Sequence, residues 1–258
     1  MKTILVTGGT GFIGTNLCLD LLEEGHKVVA LSKSTNKNNI NNPNFSFIQH
    51  DVKENFKETF LPVDEIYHLA SPASNPDFIN NPTEVANTII LGTINSLNFA
   101  KKNNSKFLFA SSIGVYHKDE FNFRSCYDSS KRTMEHYVYT FGKENNIDCK
   151  IVRIPSVYGP YMKINDDRIL TNFIKNILTK KEINFYGEIN KKRPYCYVEN
   201  IVEDLKRIMK SNINLPVDIK NVENLNTPEL LNIVKEVISN KKYHYGLNKT
   251  VEYFKKNI

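Results

Sequence analysis

Between Lys2 and Gly14 the chain reads Lys-Thr-Ile-Leu-Val-Thr-Gly-Gly-Thr-Gly-Phe-Ile-Gly, and no other stretch limits the available folds as much. Thr3 to Thr7 is a β-branched and aliphatic run that predicts a buried strand, and the glycines after it predict that the strand stops there. Gly8, Gly11 and Gly14 lie three apart and lead into Ile13, Leu17, Leu21 and Leu22, an apolar set with helical spacing. A glycine turn lets the backbone approach a pyrophosphate closely, and the first N–H groups of the helix turn partial positive charge toward that anion. Isolated glycines would mean only a β-α turn. Strand, glycines and helix in this order predict a dinucleotide pocket built on Gly8, Gly11, Phe12, Ile13 and Gly14.

The segments that follow repeat the alternation of strand and helix. His26 to Leu31 predicts a second strand, ending in Ser32-Lys33-Ser34. In an NAD site this strand end usually carries an acid that bonds the ribose 2′-hydroxyl and repels a 2′-phosphate. Ser32 removes that repulsion, and Lys33 is either a cation for the phosphate or an exposed loop lysine, so the pattern leans toward NADP over NAD. The asparagine-rich stretch 35–44 reads as a loop. Phe45 to Ile48 predicts a third strand before His50-Asp51-Val52. Glu65 to Leu69 predicts a fourth, which runs into the small residues Ala70-Ser71-Pro72-Ala73-Ser74, against which a flat cofactor could lie. A helix is predicted over Thr83 to Lys102 with Ile90, Ile94 and Leu97 on one face, then a fifth strand over Phe107 to Ala110 with Ser111-Ser112 at its carboxyl end. In an open α/β sheet ligands bind at that edge, and the alternation predicts a doubly wound parallel sheet.

Catalytic chemistry is suggested at Tyr127-Asp128-Ser129-Ser130-Lys131. On a helix, residues four apart share a face, which brings the Lys131 ammonium toward the Tyr127 hydroxyl. At about 4 Å and an effective dielectric near 20, that charge stabilises a phenolate by roughly 4 kcal/mol, lowering the phenol toward neutrality, where it exchanges a proton with a sugar hydroxyl or ketone. Ser112 would hold the same oxygen. Tyr139 and Lys143 repeat the spacing, but Gly142 and the polar run after it read as a fraying helix end without a serine pair nearby, so this second pair is set aside.

Composition narrows the classes. The chain has 258 residues, 40% of them hydrophobic, enough for a large core. No apolar run approaches the roughly 20 residues needed to span a bilayer, and the first one is too short for a secretory signal. A cytoplasmic protein without a membrane partner is expected. Cys18, Cys126, Cys149 and Cys196 are scattered, with no Cys-x-x-Cys pair, so reduced thiols are expected and neither a metal site nor a disulfide framework. The formal charge of +6 comes from dispersed lysines, which argues against a nucleic-acid partner and leaves room for an anionic small molecule.

Gly8 to Gly14, Asp51-Val52, His68 to Ser74, Ala110-Ser111-Ser112 and Tyr127 to Lys131 together resemble an extended short-chain dehydrogenase/reductase of the nucleotide-sugar epimerase/dehydratase type, over nearly the whole chain. Arg124-Ser125-Cys126-Tyr127-Asp128, Asn165-Asp166-Asp167-Arg168 and Tyr158-Gly159-Pro160 are most similar to UDP-glucuronate decarboxylases. The resemblance implies a Rossmann-type domain over residues 1–155 and 199–222, a small, reduced substrate lobe over 156–198 and 223–258, and a homodimer. It makes Tyr127 the acid/base, Lys131 the residue that orients the nicotinamide ribose, and Ser112 the hydroxyl partner. Asp51 and Val52 would flank the adenine, and Leu69, Ala70 and Ser71 would line the cofactor. Ser74, Asn172 and Arg193 would meet the nucleotide sugar, arginine suiting a diphosphate because it bonds bidentately. The Tyr195 to Val198 strand, a helix over Val198 to Met209 and a short strand over Pro216 to Ile219 would return the chain to the sheet.

The departures bear on the reaction. Gly114 stands where decarboxylases and dehydratases of this type carry a glutamate, Ile89 and Ser156 stand where asparagines are expected, and the segment between Val115 and Tyr127 is short. Tyr243-His244-Tyr245-Gly246 passes almost directly into Leu247 to Phe254, which is similar to the family's terminal helix, so a segment bearing a nucleotide-contacting arginine is expected to be missing. The implied function is NAD(P)-dependent hydride transfer at a sugar carbon, C4 by the resemblance. The alternatives are UDP-glucuronate decarboxylation and, in another class, a catalytically inactive protein that binds cofactor or nucleotide sugar.

Overall fold

The computed structural model describes residues 1–35, 40–57, 62–117, 121–165, 168–185 and 188–258. Strand β1 (Thr3–Thr7) lies at the centre of a seven-stranded sheet with β2 (Lys27–Ser32) and β3 (Phe45–Gln49) on one side. On the other side stand β4 (Glu65–His68), β5 (Lys106–Ser112), β6 (Cys149–Ile154) and β9 (Val217–Asp218), in the order β3-β2-β1-β4-β5-β6-β9 with every pair parallel. A parallel sheet is covered on both faces, which is why Ile4, Leu5 and Val6 form an unbroken apolar run and are all buried. Successive side chains point to opposite faces. Leu5 enters a core shared with α3 (Pro82–Asn103) and α4 (Ser125–Asn145), whereas Ile4 and Val6 enter a core shared with α1 (Phe12–Glu23) and α6 (Val198–Met209).

The strand order reverses between β1 and β4, and in an open parallel sheet ligands bind outside the carboxyl ends of the strands at such a switch point. Beyond β6 the chain builds a second sheet, order β10-β8-β7, from β7 (Ser156–Tyr158), β8 (Arg193–Tyr197) and β10 (Glu223–Leu225). Helices α5 (Ile169–Leu178), α7 (Thr227–Ile238) and α8 (Tyr245–Asn257) gather a third core with it through Phe173, Ile174, Leu230, Val234, Val251 and Phe254. Helix α7 starts from a capping box in which the Asn226 side chain accepts the Glu229 amide and Glu229 accepts the Asn226 amide.

Several elements differ from expectation. Strand β5 runs through Ser112, so both serines belong to the strand end and do not follow it. A short helix, α2 (Asn75–Asn80), begins at Ser74, whose side chain accepts the Asp77 amide. The buried face of α3 is Val85, Ile89, Gly92, Thr93, Ser96, Leu97, Phe99 and Ala100, and Ile90 and Ile94 are only partly buried at its border. Helix α4 does not fray at Gly142. It continues to Asn145 and closes with Asn146 in the left-handed conformation, while Gly142 presses on Cys149, where an added Cβ would meet the sulfur at 3.0 Å. Part of the asparagine-rich loop and residues 166–167 of the Asn165 to Arg168 motif lie outside the described residues.

Candidate active site

Every residue expected at the cofactor lies at the carboxyl edge of the main sheet or on the helix that borders it. Gly8 adopts φ +71°, a left-handed backbone that favours glycine, and a Cβ on it would sit 3.0 Å from the Ala70 backbone. The glycine turn and the Leu69–Ala70 turn after β4 are therefore in contact. Gly14 is constrained more tightly still, since a Cβ there would meet the Gly8 carbonyl at 2.2 Å. Helix α1 has Gly11 as N-cap with no side-chain cap and no acid in its first turn, which leaves the amides at Phe12 and Ile13 for an anion. These features fit a dinucleotide pyrophosphate.

At the neighbouring strand ends, Ser32 accepts the Thr10 amide at 3.3 Å, tying the end of β2 to the glycine turn. Lys33 is 3.2 Å from Asp51 and 3.6 Å from Glu84, so its charge is already matched. Burial works against the Asp51 carboxylate, but the Lys53 amide and the Lys33 ammonium together hold it below the usual range. Val52 is buried under α3, where the Asn95 side chain donates to the carbonyls of Val52 (3.0 Å) and Lys53 (2.8 Å). His68, by contrast, is a core residue. It bonds Thr7, Thr93 and Ser96, and burial pushes its imidazole down to about 3.

The Ser112 and Tyr127 hydroxyls are offered by β5 and α4. Ser112 accepts the Gly114 amide at 3.0 Å and lies beside the Tyr127 phenol, whose ionisation its hydroxyl favours, whereas Ser111 is engaged by Glu135. The Tyr127 ring packs on Phe78 at 4.7 Å and lies under the Arg124 guanidinium at 5.4 Å. Lys131 is 3% exposed and donates to the Ala110 carbonyl at 2.7 Å, with its Nζ 5.9 Å from the Tyr127 ring centre. This corrects the expectation that Lys131 draws the phenol toward neutrality. Burial raises Tyr127, and what opposes burial is the Ser112 bond and the Arg124 and Arg168 charges. Lys131 itself is pushed down to about 7 by burial, with Glu135 working the other way.

Of the residues expected at the substrate, Ser74 is occupied as the cap of α2, Asn172 lies half-buried on α5, and Arg193 starts β8 with long 3.4 Å bonds to the Glu188 and Lys191 carbonyls. Among the described residues no hydrogen bond or ion pair joins Asn172 or Arg193 to Ser112 or Tyr127. The structure adds residues that sequence reasoning did not place at the site. Arg168 lies over the Phe12 ring at 5.8 Å and within electrostatic reach of Tyr127, bridging the glycine turn and the tyrosine. Arg124 and Asp128 pair at 3.1 Å, an i,i+4 contact that their spacing did signal.

A parallel sheet with a glycine turn at its switch point and a Ser, Tyr, Lys set at the next strand edge defines a Rossmann-type fold of the short-chain dehydrogenase/reductase class. The sequence pattern of the NAD dependent epimerase/dehydratase family matches residues 4–221, and the chain belongs to that family. UDP-glucuronic acid decarboxylase 1 of Xenopus tropicalis is 34% identical over 257 residues, covering 92% of this chain and 60% of that protein. UDP-glucuronic acid decarboxylase 3 of Arabidopsis thaliana is 35% identical over 257 residues, covering 92% and 74%. The chain thus spans about 60% of the vertebrate relative's length. A UDP-N-acetylglucosamine 4-epimerase of Methanobrevibacter ruminantium superposes with a TM-score of 0.88 over 100% of this chain and 99% of the other at 24% identity, a likeness of fold. No helix among the described residues is long and apolar enough to cross a membrane.

Proposed function

We infer that this chain catalyses NAD(P)-dependent oxidation and reduction at a sugar carbon of a nucleotide sugar. The observation that carries this reading is the juxtaposition of Ser112 and Tyr127, buried together at the carboxyl end of β5 with Lys131 beside them. The nicotinamide, when bound, supplies the hydride acceptor. Tyr127 then takes the proton of the sugar hydroxyl as its carbon is oxidised and returns it on reduction, while Ser112 holds the same oxygen. Burial, which raises the free phenol, also excludes water from the proton it exchanges. Asn172 and Arg193 bind the diphosphate in this reading. Ser32 and Lys33 leave room for a 2′-phosphate, so NADP binds at least as well as NAD. The protein is cytoplasmic and a homodimer, which light scattering at working concentration checks.

A second reading, UDP-glucuronate decarboxylation, is favoured by the relatives, which are UDP-glucuronic acid decarboxylases. Gly114 weighs against it, because glycine carries no group to exchange a second proton. The purified chain incubated with the oxidised or reduced form of NAD or NADP and a set of UDP-sugars and their 4-keto derivatives, with products resolved by mass spectrometry, decides between them. An interconverted epimer or a reduced 4-keto sugar supports the first reading. Conversion of UDP-glucuronate to UDP-xylose with release of carbon dioxide supports the second, and no turnover of any sugar overturns both.

A further inference from the structure

Gly114 sits in the 3-10 turn Ile113–Tyr116, two residues after Ser112. Its backbone does not call for glycine, since among the described residues the positive-φ glycines are Gly8, Gly25 and Gly159. A neighbouring side chain does. A Cβ on residue 114 would lie 2.0 Å from Oδ1 of Asp128, 2.9 Å from its Cγ and 3.2 Å from Nη2 of Arg124. The Asp128 carboxylate fills the space that a side chain at 114 would take.

That carboxylate is well held. It accepts from Nη2 (3.1 Å) and Nε (3.3 Å) of Arg124, and its other contact is Nδ1 of His117 at 2.8 Å, at the end of the same turn. Its side chain is 8% exposed, a buried charge that stays only because it is paired. The helix and the turn that the carboxylate adjoins each carry a contact to the Ser112 and Tyr127 side chains. Arg124 lies over the Tyr127 and Phe78 rings at 5.4 and 5.0 Å, and the Gly114 amide donates to the Ser112 hydroxyl beside Tyr127. Arg132, one turn further along α4, fastens the same turn by donating to the carbonyls of Val115 and His117.

The geometry points to Asp128 as a positioning residue of the active site: seated in the side-chain space of residue 114, its carboxylate ties the turn that carries Ser112 to the helix that carries Tyr127 and fixes the two hydroxyls against each other. This rests on the reading that turnover takes place at that pair. It also explains why residue 114 is glycine, because the Asp128 carboxylate fills the space that a side chain there would take.

The test moves the carboxylate from one backbone to the other. Asp128→Ala is expected to lower kcat by about 10²-fold, the usual cost of misplacing reacting groups by about 1 Å, with KM and dinucleotide affinity nearly unchanged. Adding Gly114→Asp to that variant puts a Cγ one bond from the 114 Cβ, beside the vacated oxygen position and within reach of Arg124. The double variant is expected to regain about tenfold of the lost kcat, a coupling that independent sites do not show. Gly114→Asp alone crowds two carboxylates into one place and is expected to lose activity. Asp128→Ala with native kcat overturns the proposal, and so does a double variant no better than Asp128→Ala. The ring-carbon NMR signal of Tyr127, assigned with Tyr127→Phe, gives a readout independent of turnover. It is expected to shift in Asp128→Ala and return in the double variant. A native chain that turns over no sugar defeats the functional reading alone, and a Tyr127 signal indifferent to Asp128 defeats this one.

Discussion

Helix α4 carries the Tyr-x-x-x-Lys pattern twice, and within each pair the geometry is nearly the same. Lys131 Nζ lies 5.9 Å from the Tyr127 ring centre, and Lys143 Nζ lies 5.8 Å from that of Tyr139. The surroundings differ in every respect that matters to chemistry. Tyr127 is 8% exposed against 40% for Tyr139, and Lys131 is buried where Lys143 is exposed. The first pair faces the end of β5, where the Ala110 carbonyl accepts from Lys131 and the Ser112 hydroxyl lies beside Tyr127. The second pair faces solvent. Helical spacing therefore sets the distance within a pair, and the sheet edge decides which pair is a site.

The largest expected effect breaks this contrast directly. Tyr127→Phe removes one hydroxyl and should cost about 10² to 10⁴ in turnover on the accepted nucleotide sugar, with dinucleotide affinity by calorimetry nearly unchanged. Tyr139→Phe should leave kcat as it is. Equal effects of the two changes would mean that the environment does not select the pair.

A second contrast concerns the two lysines and is read from stability against pH. Burial lowers Lys131 from 10.5 to about 7 in the folded chain. Between those values the unfolded chain binds more protons at this group than the native one, so its contribution to stability rises with pH across that window. Below about 7 the native lysine is charged as well, and the full cost of burying it is present. Lys131→Met should flatten the rise measured by urea unfolding between about pH 7 and about pH 10, even as it removes turnover. Lys143→Met should leave the curve in place. Other groups titrate in the same range, including Cys18, which burial raises to about 12, but they cancel in the difference between native and variant curves. A native curve and a Lys131→Met curve that run parallel would show that Lys131 is not held in a depressed state.

How much of this was legible in the sequence depended on whether the deciding contact was local. The strand over Thr3–Thr7, the glycine turn and the helix over Val198–Met209 rest on near neighbours and apolar period, and they stand where they were expected. The face of α3 was displaced because Thr93 and Ser96 are polar by type yet buried through bonds to His68, which hides half of the apolar stripe. The strands of the second sheet are three to five residues long and pair across gaps in sequence, β7 with β8 and β8 with β10, which no short window reveals. At the site, the Tyr127 to Lys131 spacing was readable, but the destination of the Lys131 ammonium was not, because the Ala110 carbonyl comes from another strand. The same holds for Arg168 over Phe12 and for His117 on Asp128, contacts fixed by the fold.

The smallest effect is expected at the far end of the cofactor, where exposure and pairing again outweigh residue type. Lys33 reads from sequence as either a phosphate ligand or an exposed loop lysine, and its side chain is 69% exposed and shared between Asp51 and Glu84. Exposed pairs of this kind contribute about 0 to 1 kcal/mol, so Lys33→Ala should weaken NADP by no more than about fivefold. Ser32 is the more decisive neighbour because it is buried and fastened to the Thr10 amide at the end of β2. An aspartate in its place would set a carboxylate where a ribose 2′-hydroxyl donates and a 2′-phosphate is repelled. Calorimetry should therefore show NADP bound at least as well as NAD by the native chain, and Ser32→Asp should shift the preference toward NAD by about tenfold, more than Lys33→Ala does. A native chain with strong NAD preference would mean that Asp51 already reaches the ribose despite its bonds to Lys33 and Lys53, and that the acid missing from β2 is supplied by the turn after β3.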